Sequence, residues 1–372
     1  MRGKGVSASC ILMSLALQVA RYAAVLAAVF LLPQFVVSAS YAASTEKPVT
    51  VLLYHRFNEP DYPSTNISRK ALIQQMDFLK DENYHAIDIS TFRGILDGKI
   101  KAKGNEVLVT IDDGYKSAYE TAWPIFKRYG VPFVVFLSTR AIEEGYRSIM
   151  TWQMIDEMRK DGVAFANHTH RHPHLGFKKA GETESKYRRR IREEVTTAAR
   201  ILEKHKIKNR LFAYPYGEYN AIMVEELKAM GYDLMFSQNP GVAWYGADKT
   251  RVDRMAVVGE DISRTKFGEK LSRLPLRATI KEPAGSFFYD EKLAKISIRI
   301  AEPLKYFPGQ VNLFLSEKGR LDHFYDRKTG ELYVDGPMVL TRPLNRIILT
   351  AREMETGRFG MMSWLLLRTY LK

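Results

Sequence analysis

The residues best placed to do chemistry in this chain are two adjacent carboxylates and a dense run of imidazoles. Asp112 and Asp113 end the apolar, β-branched stretch Val107–Ile111, and Gly114 follows them. A stretch of that composition reads as a buried strand. Two carboxylates side by side at its mouth raise one another's pKa unless something positive stands near. Taken alone, Asp-Asp-Gly also fits a strand-to-helix turn, with Asp capping and Gly at positive φ. The imidazoles shift the balance. Asn167-His168-Thr169-His170-Arg171-His172-Pro173-His174 places four histidines within seven residues. His168 and His172 are four apart, so one helical turn would bring them to the same side. Pro173 biases His172 away from the α region and argues instead for a tight loop. Either geometry lets two imidazoles meet on one cation. Two neutral imidazoles and one carboxylate, here Asp113, make a zinc set that leaves positions for water and substrate. A dication would also lower both aspartate pKa values. His170 and His174 are expected outside the ligand set, and His323 on the surface.

A third stretch, Phe212-Ala213-Tyr214-Pro215-Tyr216-Gly217, has Pro and Gly fixing a sharp turn where backbone N–H groups can point into a site. A plain strand-ending turn is the alternative reading.

The elements that must position these residues alternate along the chain. Apolar strands at Val49–Tyr54, His85–Ile89, Val107–Ile111, Val131–Leu137, Val163–Ala166, Leu211–Tyr214 and Tyr232–Phe236 are interleaved with helical stretches. Those over Arg69–Glu82, Thr151–Asp161, Glu182–His205 and Ala221–Met230 are the clearest, and Gly130, Gly162 and Gly231 punctuate three helix-to-strand junctions. Repeated strand–helix units with continuously apolar strands predict a parallel sheet. The expectation is a (β/α) barrel of TIM type, distorted or incomplete, with about seven strands. Such folds carry their chemistry at the carboxyl ends of the strands. His55, Asp112-Asp113, Asn167-His168 and Tyr214-Pro215-Tyr216 all fall there. Beyond about residue 285 the pattern becomes period two: Ile296, Ile298 and Ile300, then Val311, Leu313 and Leu315, with a hairpin turn at Arg327–Gly330. This predicts a small all-β, sandwich-like module over 286–372, joined to a domain over 48–270 by a linker bracketed by Pro275 and Pro283.

The chain has 372 residues and a formal charge of +14. That charge permits attraction to anionic surfaces, yet the basic residues are scattered, and the run Lys186–Arg192 passes into Glu193 and Glu194, as a solvated helix face does. No nucleic-acid motif is present. The single cysteine, Cys10, removes thiol chemistry and disulfides from consideration. Residues 1–43 begin with Arg2 and Lys4, are uncharged from Tyr22 to Ala43, and end in small residues around Ser40-Tyr41-Ala42. They read as a signal peptide, with an uncleaved inner-membrane anchor as the alternative. The remainder is expected to be periplasmic or extracellular.

Together the motifs resemble the polysaccharide deacetylase family, the NodB-homology fold of carbohydrate esterase family 4. Thr110-Ile111-Asp112-Asp113-Gly114 looks like its TFDDG motif, His168–His172 like its H-[ST]-x-x-H motif, and Phe212–Gly217 like its RPPYG-type motif. Leu53-Tyr54-His55-Arg56 is similar to the opening signature of the exported poly-N-acetylglucosamine deacetylase-like subgroup. The resemblance covers about residues 48–265. It implies a metal-dependent hydrolase that removes acetyl groups from N-acetylated polysaccharide. Asp112 would be the general base, and Asp113, His168 and His172 the ligands of Zn²⁺ or another divalent transition metal. The backbone N–H of Tyr216 would hold the oxyanion. Two departures stand out. Ala213 occupies the place of the arginine that orients the base, and the late Leu-x-x-His motif supplying the general acid has no counterpart. His55 is the candidate substitute, against a structural hydrogen-bonding role. Trp244 is the residue expected to line a sugar subsite. A glycan-binding pseudoenzyme of the same fold is the alternative to an enzyme.

Overall fold

In the computed structural model, described here over residues 47–371 apart from 209, 260–262, 286, 289–291 and 369, helices and strands alternate as the sequence pattern predicts. The expected leader over 1–43, with Cys10, lies outside the described residues. Among those described, no helix is long and apolar enough to cross a membrane. Eight strands form one sheet: β1 (Val49–Tyr54), β2 (His85–Ala86), β3 (Glu106–Ile111), β4 (Phe133–Leu137), β5 (Ala164–Asn167), β6 (Leu211–Ala213), β7 (Leu234–Phe236) and β8 (Met255–Ala256). Their order is β7-β6-β5-β4-β3-β1-β8, with β2 pairing β3, and every pairing is parallel. The sheet is a distorted, incomplete barrel of TIM type. β8 lies along β1, and just upstream Val252 bridges Phe236 of β7, so the segment 252–256 joins the two edges.

Every residue of β1, β3 and β4 is buried, because both faces of these strands are covered. Val51, Leu108, Phe136, Ala213 and Phe236 gather on the inner face. Tyr54, Val107, Val109, Ile111, Val135 and Leu137 pack outward under the helices. This alternation has a chemical consequence: Leu108, Thr110 and Asp112 share one side of β3, so Asp112 is aimed inward.

The helices include α1 (Arg69–Asp81), α2 (Ile89–Leu96), α3 (Trp123–Tyr129), α4 (Trp152–Lys160), α5 (Glu184–Lys204) and α6 (Ala221–Ala229). Polar side chains cap their starts: Ser68, Asp88, Thr151, Thr183 and Asn220 each accept a backbone N–H from the first turn, a contribution of about 1 kcal/mol apiece. Gly130, Gly162 and Gly231 follow three helices at positive φ, as expected. The basic run on α5 is partly paired. Arg188 reaches Glu184, Glu225 and Glu226, and Arg192 reaches Glu226.

The C-terminal part is all-β. β9 (Ala278–Glu282), β10 (Lys292–Ile300) and β12 (Glu331–Val339) belong to one antiparallel sheet; β11 (Tyr306–Leu315), β13 (Leu344–Glu353) and β14 (Phe359–Arg368) belong to a second. Ile296, Ile298 and Ile300 from the first pack against Val311, Leu313, Leu315, Ile347, Leu349 and Trp364 from the second. The expected linker between Pro275 and Pro283 is corrected by the structure. β9 lies within it, pairing with β10, and Leu274–Pro275 pairs with Gly360–Met361. β9 is an edge strand, and edges tolerate the prolines that flank it.

Candidate metal centre

Asp112 and Asp113 leave the tip of β3 in different directions. Asp112 continues the inward pleat and is fully buried. Asp113 takes φ of 75°, a left-handed conformation that turns its carboxylate toward the loop after β5. That loop is not helical. Thr169 and His172 hold φ of 71° and 56°. The turn is fixed from within, since Thr169 N–H donates to Asn167 Oδ1 at 2.8 Å and His172 N–H donates to Thr169 Oγ1 at 3.1 Å. The tight-loop geometry that Pro173 favours is therefore the one adopted.

Asp113 Oδ1 stands 3.3 Å from His168 Nε2 and 3.2 Å from His172 Nε2. The ligand atoms of Asp113, His168 and His172 all lie within 4.8 Å of one another. His168 Nδ1 is 2.8 Å from the carbonyl of Ala213. A carbonyl only accepts, so Nδ1 carries the proton and the Nε2 lone pair faces Asp113. Asp113 Oδ1 and His168 Nε2 are both buried without a hydrogen-bond partner. Orphaned atoms of this kind need an explanation, and a dication shared with His172 supplies one: the donor set fits a divalent transition metal, with the outer nitrogen of His168 tied to backbone as metal-binding imidazoles commonly are. Burial would raise the Asp113 pKa, but the imidazoles of His168 and His172 hold it well below the usual carboxylate range.

Asp112 lies beside this trio, its Oδ2 4.0 Å from His168 Nε2. Its principal partner is a residue that sequence reasoning missed. Arg254 is fully buried and donates from Nη1 and Nη2 to Asp112 Oδ1 and Oδ2, both at 2.7 Å. The guanidinium is held in turn by Ser237 O at 2.6 Å and Thr110 Oγ1 at 3.2 Å. Burial alone would raise the Asp112 pKa; Arg254 and then His168 outweigh it and keep the carboxyl below its ordinary value. The arginine missing at position 213 thus reaches the carboxylate from the strand that joins the barrel's edges. The available signal was weak: Arg254 directly precedes the short apolar run Met255–Val257, but Arg251 and Asp253 beside it make the stretch read as ordinary charged chain.

His55 follows β1 and stands half-buried at the same end of the barrel, its Nδ1 buried without a partner. Burial pulls its pKa down, while Asp113 and Asp112 oppose the shift. Tyr216 sits in the turn 215–217 with φ of 58°. Its ring centroid lies 4.5 Å from that of His172 and 3.9 Å from that of His174, the latter stacked at 12°. The turn requires Gly217: φ is 70°, and a Cβ there would come within 2.5 Å of Gln238 Cβ. His174 is itself bound to buried Glu218, Nδ1 to Oε1 at 2.8 Å. His170 turns away to Thr139 Oγ1 at 3.0 Å. His323 is held by the carbonyl of Leu321 in the sandwich. Trp244 does not line this site. Its neighbour Ala243 pairs with Val49, the first residue of β1, so Trp244 sits at the opposite end of the strand from His55.

Residues 99–235 match the family described as polysaccharide deacetylase. Bacillus subtilis YxkH is 26% identical over 203 residues, covering 54% of this chain and 68% of that one. The poly-β-1,6-N-acetyl-D-glucosamine N-deacetylase of Escherichia coli is 27% identical over 215 residues, covering 48% of this chain but only 32% of that protein. Among solved structures, IcaB from Ammonifex degensii superposes with a TM-score of 0.54 at 27% identity, over 60% of this chain and 97% of that one. Residues 99–235 therefore match a polysaccharide deacetylase domain.

Proposed function

We propose that the protein is an exported, metal-dependent N-deacetylase acting on an N-acetylglucosamine polymer of the poly-β-1,6-linked kind. The observation that carries this reading is the juxtaposition of an arginine-held carboxylate, Asp112, with the converging trio Asp113, His168 and His172. The names of the Escherichia coli relative and of its counterpart in Staphylococcus epidermidis, 28% identical over 172 residues, support the choice of polymer. The charged start and uncharged apolar stretch of residues 1–43 support export.

Amide hydrolysis needs a base for water, a stabiliser for the oxyanion and a proton for the departing amine. Asp112 is the base: bidentate pairing to Arg254 keeps it ionised and fixes its plane, so it accepts the proton of the attacking water. The backbone N–H of Tyr216 donates to the developing oxyanion. His55, at the same end of the barrel, is the group that delivers a proton to the amine nitrogen as the C–N bond breaks. Asp113, His168 and His172 would hold Zn²⁺ or another divalent transition metal, which when bound supplies Lewis acidity toward the acetamide carbonyl. The pseudoenzyme alternative loses the support it drew from position 213, because Arg254 stands against Asp112 in place of that residue.

The test is acetate release from poly-β-1,6-N-acetylglucosamine, chitin oligomers and peptidoglycan in parallel, with metal content measured on the same sample. Turnover of the first substrate above the other two supports the reading; tight glycan binding with no acetate from any of them overturns it in favour of the pseudoenzyme.

A further inference from the structure

The turn that carries the Tyr216 N–H is strained and is not supported by the barrel alone. A tyrosine at φ 58° occupies a conformation that costs a non-glycine residue about 1–3 kcal/mol unless its surroundings impose it. Two supports impose it here. On one side the ring is stacked on His174, which Glu218 holds. On the other, Arg346 Nη2 donates to the carbonyl of Tyr216 at 3.0 Å. Arg346 belongs to β13 of the C-terminal sandwich, 130 positions away in sequence. Its backbone is pinned to Ser316 of the same sheet in both directions, Arg346 N–H to Ser316 Oγ at 3.0 Å and Ser316 N–H to Arg346 O at 2.9 Å.

The sandwich also reaches under this loop. Leu365 and Leu367 of β14 pack in one cluster with Leu175, Phe177, Tyr214 and Tyr219, the residues that flank the histidine loop and the Tyr216 turn. The approach is close enough that Gly176 tolerates no side chain, since a Cβ there would lie 2.6 Å from Glu218 Cβ and 3.2 Å from Leu367 Cδ1. Arg346 is therefore a fixed arm on a packed wall. Residues 99–235, which match the deacetylase family, contain neither Arg346 nor any part of the sandwich.

We infer that the C-terminal sandwich completes the active site, with Arg346 acting as a positioning residue that holds the Tyr216 turn so that its N–H meets the oxyanion. The inference rests on the deacetylase reading above. The carbonyl and the ring both hang from the Cα of Tyr216, so fixing the two fixes the direction in which its N–H leaves that atom. Losing one restraint lets the N–H drift, and a displacement of about 1 Å can cost on the order of a hundredfold in rate.

The test uses the full metal-loaded chain with Arg346→Ala and Arg346→Lys. Hydrogen exchange read by mass spectrometry over residues 214–219 is expected to accelerate about tenfold or more in Arg346→Ala. In the same variant kcat for acetate release should fall about tenfold to a hundredfold while KM and metal content stay near wild type. Guanidinium chloride below denaturing concentrations should restore part of that kcat, as should Arg346→Lys, which also serves if the alanine variant does not fold. Unchanged exchange over 214–219 would overturn the inference, and so would faster exchange with kcat unaffected. Asp112→Asn run in parallel keeps the two readings apart. If that variant and wild type release acetate equally, the deacetylase mechanism fails, whereas an Arg346→Ala kcat equal to wild type beside an inactive Asp112→Asn sinks only the role of Arg346.

Discussion

At the carboxyl ends of the barrel strands Asp113, Thr169, His172 and Tyr216 all hold positive φ, from 56° to 75°, and Asp113, His168 and His55 each leave a buried polar atom without a partner. In the sandwich, β10, β11 and β13 present alternating buried aliphatics, and Glu302 is the one described non-glycine residue there with positive φ. Both regions belong to a single chain that must stay folded, yet one concentrates left-handed backbone at non-glycine residues while the other is regular. Thr169 is the most telling case, because a β-branched residue at φ 71° is a true outlier. The difference teaches that conformational cost is confined to positions where side chains must converge. The sandwich meets the strained region through Arg346.

The comparison can be broken most decisively at Asp112. Asp112→Asn keeps the shape and removes the proposed base, so acetate release should fall by about 10²–10⁴; full activity in steady-state assays would show that the strained region is not catalytic. Next is Arg254→Met. Removing one partner of a buried ion pair costs about 3–5 kcal/mol, readable as a lower denaturant midpoint, with activity lost as well. The pH dependence follows from the same pair. Asp112 has a folded pKa below its unfolded value, so its stabilisation is present above the unfolded value, about 3.9, and disappears as pH falls through the folded one. Without Arg254 the folded pKa rises, and acid unfolding of the variant should begin at higher pH than in wild type.

Metal sharpens the contrast at a smaller scale. Zn²⁺ at about a hundredfold over its Kd should stabilise chelator-treated protein by about 2.7 kcal/mol, seen as a higher Tm, and His172→Ala should abolish the rise. A Tm indifferent to metal in wild type would leave the orphaned atoms unexplained. The smallest effect belongs to the regular region: Ile298→Val should cost about 0.5–1.5 kcal/mol and leave kcat alone. A fall in kcat there would mean that the sandwich interior is coupled to the site more widely than through Arg346.

Much of this arrangement is legible in local sequence. The pleat of Val107–Ile111 aims Asp112 inward, glycines mark the ends of three helices, and the histidine run with Pro173 foretells a tight loop. These signals survive because each rests on neighbours a few residues away. What was not legible depends on distant pairing. Arg254 meets Asp112 across 142 positions, and nothing near Ala213 announces that the guanidinium comes from elsewhere. Trp244 looked like a sugar-facing residue, but the pairing of Ala243 with Val49 carries it to the other end of the barrel. The stretch between Pro275 and Pro283 looked like a linker because prolines usually interrupt strands, and edge position is a property of the sheet rather than of the residues.

The joining of the barrel's two edges by segment 252–256 sets an order of assembly during synthesis. A nascent chain has made Asp112, Asp113, His168 and His172 long before Arg254 leaves the ribosome. Until then the Asp112 carboxylate has no guanidinium to steady it. Premature termination between His174 and Arg254 would release a fragment bearing every residue of the histidine cluster and no guanidinium beside Asp112.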